Sequence, residues 1–266
     1  MDPTPSLPSL KLFSLAGQTA LITGATRGIG AACAIALAEA GASICLVQRP
    51  PPEGQSPSMG TANAISALGV KVEIVYADLS DIESVKSVFP QALEAMGGEI
   101  HILVNSAGIQ RRSPSVDFPE KDWDDVINVN LKSVWLLSQA AGRHMVSKRR
   151  GKIINIASLM TFQGGLNVPA YAAAKGALGQ VTKALANEWS QHNVQVNAIC
   201  PGYIATDMNE GLRSDPVRMR QIAERIPAGR WGEPKDFAGP TVFLASAASQ
   251  YVCGELLLVD GGWMGR

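Results

Sequence analysis

A tyrosine and a lysine stand four residues apart, at Tyr171 and Lys175, in a segment with helical hydrophobic spacing. Their side chains therefore project from one face of the predicted helix and can reach one reacting group. A free tyrosine, with a pKa of about 10, is a poor base at neutral pH, but a neighbouring ammonium favours the phenolate. Tyr171 can then give a proton to a carbonyl oxygen or take one from an alcohol. Taken alone, this spacing is also typical of an exposed pair on a helix surface.

Ser158 adds a third polar group to this pair. It follows the mostly apolar run from Ile153 to Ala157, which predicts a buried strand. In open α/β sheets, ligands bind beyond the carboxyl ends of the strands, so Ser158 is placed to hold a substrate oxygen. We therefore predict that Ser158, Tyr171 and Lys175 act as one catalytic set.

A second candidate site begins after the first predicted strand, where the chain reads Thr23-Gly-Ala-Thr-Arg-Gly-Ile-Gly30. Gly24, Gly28 and Gly30 allow a tight turn, close approach of a pyrophosphate and close packing of the following helix. The N-terminus of that helix offers free N–H donors to an anion. The spacing differs from GxGxxG, and a simple strand-to-helix turn is the alternative. The pattern favours a dinucleotide site.

The end of the second predicted strand bears on the choice of dinucleotide. An acidic residue there would hydrogen-bond the ribose 2′-hydroxyl of NAD, whereas an arginine would accept the 2′-phosphate of NADP. The chain has Gln48 followed by Arg49, and Arg27 in the Gly-rich turn supplies a second cation. These residues favour NADP(H), with NAD(H) as the alternative if both arginines are solvated surface residues.

Further motifs follow in order along the chain: Asn105-Ser-Ala-Gly108, Asn130, Tyr171-Ala-Ala-Ala-Lys175 and Pro201-Gly202. With the Gly-rich turn and Ser158, they make the chain resemble the short-chain dehydrogenase/reductase family from about Phe13 to the C-terminus. The resemblance implies a Rossmann fold, a nicotinamide coenzyme and hydride transfer at a carbonyl or alcohol. At position 106 the family most often has Asn or Ala; the serine here is small and polar and still suits the turn.

The resemblance also implies a role for each matching residue. Asn130 would complete the catalytic set as a support for a water-linked proton relay to Lys175. Two residues would flank the adenine, Asp78 and Leu79, and two would contact the nicotinamide amide, Ile204 and Thr206. The full set of implied coenzyme contacts is Gly24, Arg27, Gly28, Ile29, Gly30, Gln48, Arg49, Asp78, Leu79, Asn105, Ala107, Gly108, Tyr171, Lys175, Pro201, Gly202, Ile204 and Thr206.

The composition restricts the remaining function classes. The chain has 266 residues, 46% of them hydrophobic, and 23 Lys+Arg balance 23 Asp+Glu, for a pI near 6.8. Without a basic field, neither nucleic acid nor a membrane is an expected partner. The four cysteines lack a CxxC pair and the three histidines stand singly, so we predict buried free thiols, no disulfide and no metal site. The N-terminus lacks the features of a secretion signal, which favours a cytoplasmic location.

Short Val- and Ile-rich runs alternate with longer Ala- and Leu-rich segments of helical spacing, which is typical of repeated βα units. We predict a flexible N-terminal tail at 1–12 and one α/β domain at 13–266, a doubly wound Rossmann fold with a parallel sheet of about seven strands and helices on both faces. Prolines predict a loop at 50–60. The predicted strands are Thr19–Thr23, Ser43–Gln48, Lys71–Tyr76, Ile100–Asn105, Lys152–Ala157, Gln195–Ile199 and Leu256–Val259. The predicted helices are Ile29–Ala40, Ile82–Ala95, Trp123–Lys148, Tyr171–His192 and Pro234–Ala245.

Longer strings, such as Glu120-Lys-Asp-Trp-Asp-Asp-Val126 and Val259-Asp-Gly-Gly-Trp263, resemble sugar-acid dehydrogenases of this family, the 2-deoxy-D-gluconate 3-dehydrogenases among them. By the same resemblance, the segment at 203–226 would be a lid over the substrate. A sugar acid needs a cation for its carboxylate and donors for its hydroxyls. The candidates in loops at the catalytic edge are Arg111, Arg112, Gln163 and Asn167.

Three hypotheses for function follow. The first is an NADP(H)-dependent oxidoreductase of a hydroxy or keto sugar acid. The second is the same chemistry on a bulkier ketone of secondary metabolism, and it is distinguished from the first by whether Arg111 or Arg112 points into the pocket. The third is a catalytically silent dinucleotide-sensing protein, against which the intact catalytic set argues. The family also leads us to expect a homotetramer, with the long helices at 123–148 and 171–192 as contact faces.

Overall fold

The computed structural model describes residues 8–266. A parallel sheet lies at its centre, with the strand order β3-β2-β1-β4-β5-β6-β7. The order reverses between β1 and β4, which leaves a crevice at the carboxyl ends of these strands. The predicted doubly wound α/β Rossmann fold is therefore confirmed. The strands are β1 Thr19–Thr23, β2 Ser43–Gln48, β3 Val72–Tyr76, β4 Ile102–Asn105, β5 Gly151–Ile156, β6 Val194–Pro201 and β7 Leu256–Val259.

Helices cover both faces of the sheet, so the central strands are buried throughout. Helices α1 and α9 enclose one part of the core, which contains Leu37 and Phe237. Helices α3 and α5 enclose the opposite part, which contains Phe89 and Leu137. The helices are α1 Gly28–Glu39, α2 Gly60–Ser66, α3 Ile82–Ala95, α4 Glu120–Ile127, α5 Ser133–Lys148, α6 Pro169–Trp189, α7 Glu210–Arg213, α8 Pro216–Arg225 and α9 Ala238–Ala245.

The largest difference from the predicted elements concerns the single helix expected over Trp123–Lys148. A π-helical turn at Asn128–Lys132 separates α4 from α5. The N–H of Ser133 there bonds to the carbonyl of Asn128, five residues earlier. Hydrophobic spacing does not reveal one extra residue in a turn, because the apolar positions on either side stay helical. Such turns are frequent at functional sites.

Smaller differences occur at the ends of elements. Residues 1–7 of the predicted flexible tail lie outside the described residues, and Ser9–Phe13, where the tail meets the domain, forms a 3₁₀ turn beside Ala247–Ser249. The flexibility of the tail stays a prediction. The helix predicted from Pro234 begins as a 3₁₀ segment, Pro234–Phe237, held by the reciprocal capping of Glu233. The predicted loop ends where α2 begins at Gly60.

Three of the cysteines are buried and free, as predicted, whereas Cys253 is exposed. Between residues 8 and 266, no helix is both long enough and apolar enough to cross a membrane. No group of metal-ligating side chains occurs in that same part of the chain.

Candidate active site

A cleft of about 910 Å³ opens at the carboxyl edge of the sheet. The turns that follow strands β1 to β6 form its walls, and this is the edge where α/β sheets bind ligands. The Gly-rich turn and the predicted catalytic set both border it. The predicted residues that line it are Gly24, Arg27, Gly28, Ile29, Gly30, Gln48, Arg49, Leu79, Ala107, Gly108, Arg111, Arg112, Ser158, Tyr171, Lys175, Pro201, Gly202, Ile204 and Thr206. The predicted residues outside this lining are Asp78, Asn105, Asn130, Gln163 and Asn167.

The Gly-rich turn forms a cradle that side chains would fill. Gly24 and Gly28 have φ values of +67° and +59°, which glycine adopts at little cost. A Cβ on Gly24 would lie 2.7 Å from the Cα of Ala107, and a Cβ on Gly30 would overlap the carbonyl oxygen of Gly24. Among the described residues, no side chain caps the start of α1, so its first N–H groups are left for an anion.

Gln48 marks the place where the second strand meets the cleft. Its side chain is 3% exposed, and its Nε2 atom has no hydrogen-bond partner within residues 8–266. A buried amide donor left without a partner costs about 1–3 kcal/mol, so this position is suited to a polar ligand. The unpartnered amide and the glycine cradle together fit a dinucleotide whose ribose lies beside β2.

Arg49, next to Gln48, faces a carboxylate. Its Nε lies 3.7 Å from the Asp78 Oδ2. Burial raises the pKa of Asp78, but hydrogen bonds from the Ser80 N–H and hydroxyl and the charge of Arg49 outweigh burial, and the net pKa is lowered. The Ser80 bonds, 2.9 and 2.7 Å long, hold the Asp78 Oδ1 in place. Of the two residues expected at the adenine, Leu79 lies on the cleft wall and Asp78 lies outside it.

The structure brings Ser158, Tyr171 and Lys175 together. The Ser158 side chain lies close enough to Tyr171 to lower the pKa of its hydroxyl. The Lys175 Nζ lies 5.7 Å from the centre of the Tyr171 ring and donates a 2.6 Å hydrogen bond to the Ile156 carbonyl. Pro169 fits the first turn of α6 because its fixed φ is helical, and one turn of this helix separates the tyrosine from the lysine. The predicted set therefore occupies one end of the cleft.

Burial changes the pKa of both ionisable side chains in this set. It raises the pKa of Tyr171, and the neighbouring Ser158 hydroxyl and the Arg112 charge oppose that rise only in part. Burial lowers the pKa of Lys175 to about 8. Ser158 and Arg112 are the groups that lower the tyrosine pKa, and the Lys175 ammonium is hydrogen-bonded to the Ile156 carbonyl.

Asn130, the fourth member of the set, supports the wall of the cleft from behind. It is fully buried in the π-helical turn. Its Oδ1 accepts from the Ile109 N–H and its Nδ2 donates to the Ile109 carbonyl, both at 2.8 Å. These two bonds fix the loop after β4, which carries the cleft-lining residues 107–112. The implied proton relay from Asn130 to Lys175 stays a prediction.

Sequence reasoning missed a buried polar chain beneath the site. Asn105 Nδ2 donates to Ser138 Oγ and to Asn155 Oδ1, at 3.1 and 2.9 Å, and Asn155 Nδ2 donates to Thr182 Oγ1 at 3.0 Å. These hydrogen bonds link α5, β4, β5 and α6. Asn105 therefore supports the sheet instead of lining the cleft. Asn155, a polar residue inside the apolar strand Gly151–Ile156, was the available signal.

The four candidate substrate residues separate into two pairs. Arg111 and Arg112 line the cleft. Gln163 and Asn167 do not: Gln163 accepts a hydrogen bond from Trp263, and the Asn167 carbonyl accepts one from the Ser113 N–H.

The two arginines differ in their partners. Arg111 lies 3.3 Å from Asp122 and 4.0 Å from Asp125 on α4. Arg112 donates to the side-chain oxygen of Gln110 at 2.9 Å, and no carboxylate of residues 8–266 forms an ion pair with it. Its charge reaches Tyr171. Of the two arginines, Arg112 is therefore the one whose charge is not neutralised by a carboxylate of the described residues.

The segment predicted as a lid carries α7 and α8, and aromatic rings anchor it at both of its ends. The Tyr203 ring lies 4.7 Å from the Trp263 ring and 5.5 Å from the Trp231 ring, centre to centre. The Arg225 guanidinium stacks 3.9 Å from the Trp263 ring. Ile222 is buried in the same cluster. In contrast, residues 206–209 at the start of the segment border the cleft.

Comparisons with known proteins agree with this geometry. A family model described as enoyl-(acyl carrier protein) reductase matches residues 24–264. The chain is 47% identical over 258 residues to 2-dehydro-3-deoxy-D-gluconate 5-dehydrogenase of Escherichia coli K12, covering 97% of this chain and 99% of that protein. It belongs to the short-chain dehydrogenase/reductase family. The expected enzyme class, an NAD(P)-dependent oxidoreductase acting on CH–OH or C=O groups, is confirmed.

Solved structures of family members are similar to this chain over nearly its whole length. One is an Agrobacterium tumefaciens protein provisionally named 2-deoxy-D-gluconate 3-dehydrogenase, with bound NADP; it is 47% identical, has a TM-score of 0.88, and the match covers 96% of this chain and 99% of that one. Another is a gluconate 5-dehydrogenase from Burkholderia cenocepacia J2315 with NADP and tartrate, 39% identical with a TM-score of 0.90, covering 97% and 100%. The predicted resemblance to sugar-acid dehydrogenases is confirmed.

Proposed function

We propose that this chain catalyses the NADP(H)-dependent interconversion of a secondary hydroxyl and a ketone in a sugar acid. The observation that carries the proposal is the placement of Ser158, Tyr171 and Lys175 in one cleft with Arg112. Support also comes from the relatives, which are named for gluconate and deoxygluconate substrates, one of them solved with NADP and tartrate. The carbon that reacts is not part of the proposal.

In this mechanism the nicotinamide coenzyme supplies or accepts the hydride. Ser158 and Tyr171 hold the substrate oxygen between their hydroxyls, which orients the reacting carbon. Tyr171 donates its proton to the oxygen during reduction and takes it back during oxidation. Lys175, charged below its pKa of about 8, keeps a positive charge beside the phenol ring. Asn130 holds the loop that closes this end of the cleft.

The glycine cradle and the start of α1 would hold the coenzyme pyrophosphate. Gln48 would give its unpartnered amide to the adenosine ribose, and Arg27 and Arg49 would receive the 2′-phosphate. No acidic residue follows β2 directly to repel a phosphate. These contacts favour NADP(H) over NAD(H), and the NADP bound in two similar structures supports the same choice.

Arg112 would bind the substrate carboxylate, because it is the cleft arginine without an acidic partner among the described residues. We expect Arg112→Ala to lower kcat/KM for a sugar acid by about 10–100-fold, the range of one charge-assisted hydrogen bond. For an uncharged keto sugar the loss should stay within about threefold, since no carboxylate is bound. Arg111→Ala is the matched control, because Asp122 and Asp125 already occupy that guanidinium.

The same assay separates the alternatives. Gluconate, deoxygluconate and their keto acids are compared with bulky uncharged ketones, each with NADP(H) and NAD(H). If the chain turns over only bulky ketones, its substrate is the ketone of the second hypothesis and not a sugar acid. Coenzyme binding with no turnover of either class would favour the dinucleotide-sensing protein. An equal effect of Arg112→Ala on acids and neutral sugars would remove Arg112 as the carboxylate ligand.

Assembly as a homotetramer remains our proposal. Trp123 on α4 and Trp135 on α5 are 40% and 39% exposed, and Leu258 on the edge strand β7 is 40% exposed. Large apolar side chains at the surface are typical of interfaces between subunits. Sedimentation equilibrium is expected to give four times the chain mass, and a monomer mass would contradict the proposal. We also propose the cytoplasmic location that the N-terminal sequence predicts.

A further inference from the structure

An ion pair joins the Gly-rich turn to the start of the lid. The Arg27 Nε lies 3.1 Å from the Asp207 Oδ2. The two elements also approach each other at the next residues, since a Cβ on Gly28 would lie 3.5 Å from the Thr206 Cγ2. The first turn of the lid therefore rests against the turn that is to hold the coenzyme.

Both arginines suited to a 2′-phosphate already have an acidic partner. Arg27 and Arg49 follow neighbouring strands, whose residues Thr23 and Val47 are paired in the sheet. Arg27 is paired with Asp207, and Arg49 faces Asp78. A phosphate that binds these arginines must therefore compete with a carboxylate, because two anions share one guanidinium only at a loss of favourable energy.

The two carboxylates differ in how firmly they are held. Asp78 accepts two hydrogen bonds from Ser80, which fix it whether or not Arg49 turns away. The Asp207 carboxylate has no partner other than Arg27 in the described part of the chain, and its side chain is 66% exposed. Asp207 can thus return to water when Arg27 takes another anion.

We propose that Asp207 is a specificity-determining residue for the coenzyme, which competes with the 2′-phosphate of NADP for Arg27. NAD has no 2′-phosphate and leaves the Arg27–Asp207 pair intact. NADP must break the pair, so Asp207 reduces the margin by which the chain prefers NADP. This inference rests on the coenzyme site proposed above and not on the identity of the substrate.

The test is calorimetric titration of the purified chain with NADP⁺ and with NAD⁺, without substrate. Asp207→Asn is expected to tighten NADP⁺ binding about two- to fivefold at low ionic strength, the range of one exposed ion pair, and to leave NAD⁺ binding unchanged. The gain should shrink as salt is raised, because exposed charges are screened. The NAD⁺ titration of the same variant shows that it is folded.

Two variants make the result specific. Glu210→Gln removes a charge from the same segment, where Glu210 forms no ion pair with the described residues, and should change neither affinity. In an Arg27→Ala background, Asp207→Asn should have no effect, since the competition is gone. Equal tightening of both coenzymes, unchanged or weaker NADP⁺ binding, or the same gain without Arg27 would overturn the inference. Loss of sugar-acid turnover with these affinities intact would instead count against the proposed function alone.

Discussion

Replacing Tyr171 by phenylalanine is expected to lower kcat by about 10²–10⁴-fold, the range attributed to a positioned acid–base group. The variant keeps the ring beside Lys175 but loses the hydroxyl that lies beside Ser158. Coenzyme affinity should stay within about twofold, because the glycine cradle, Gln48 and the arginines that would hold the pyrophosphate, ribose and 2′-phosphate are unchanged. Initial rates of NADPH oxidation with an accepted keto acid, together with fluorescence titration of NADPH, measure the two effects separately.

Tyr251→Phe is the matched control for this result. Tyr251 is fully exposed and does not line the cleft, so loss of its hydroxyl should leave kcat and coenzyme affinity as they are. A Tyr171→Phe enzyme that turned over at the parental rate would show that another group moves the proton. Equal loss of turnover and coenzyme binding would show that the substitution had disturbed the fold of the cleft.

The second large effect is expected at Gly30, in the first turn of α1. A methyl group there would overlap the Gly24 carbonyl and press on the Ser106 hydroxyl, so the Gly-rich turn must move. Gly30→Ala should lower the free energy of unfolding by about 1–3 kcal/mol, as overpacking does. It should also raise the dissociation constant for NADP⁺ about tenfold or more, because the backbone donors no longer match the pyrophosphate. Thermal unfolding and NADP⁺ titration measure these changes.

Gly239→Ala provides the control for that substitution. Gly239 lies in α9 with no heavy atom within 4 Å of an added Cβ. Alanine there should leave the free energy of unfolding unchanged or raise it slightly, because alanine favours the helix over glycine. Coenzyme affinity should not change. If Gly30→Ala bound NADP⁺ as tightly as the parent, our assignment of the Gly-rich turn as the pyrophosphate site would be wrong.

The ends of the buried strands could be predicted closely because apolar runs and turn residues are local features. Strands β1, β2 and β7 have the predicted bounds, and the residues that follow β1 and β5 meet in the cleft as expected. The pairing of the proposed catalytic residues Tyr171 and Lys175 was predictable for the same reason, since one helix turn sets their separation. Each of these features depends on fewer than about ten neighbouring residues.

Partners distant in sequence could not be predicted from local patterns. Arg111 looks equivalent to Arg112 in the sequence, but the fold places Asp122 and Asp125 beside Arg111 alone. The pairing of Arg27 with Asp207 likewise depends on how the lid lies over the Gly-rich turn. The net pKa of Tyr171 likewise depends on packing from several elements, because burial of its hydroxyl raises that pKa.

Transfer of deuterium tests the central claim most directly. The purified chain is mixed with a keto sugar acid and NADPH that carries deuterium at its transferable position, and the product is analysed by mass spectrometry. We predict one deuterium on the carbon that bears the new hydroxyl, with the parent chain and with Tyr251→Phe, and a yield reduced by at least about a hundredfold with Tyr171→Phe. Reduced sugar acid without deuterium, or NADPH consumed while the acid stays unchanged, would contradict hydride transfer at this site.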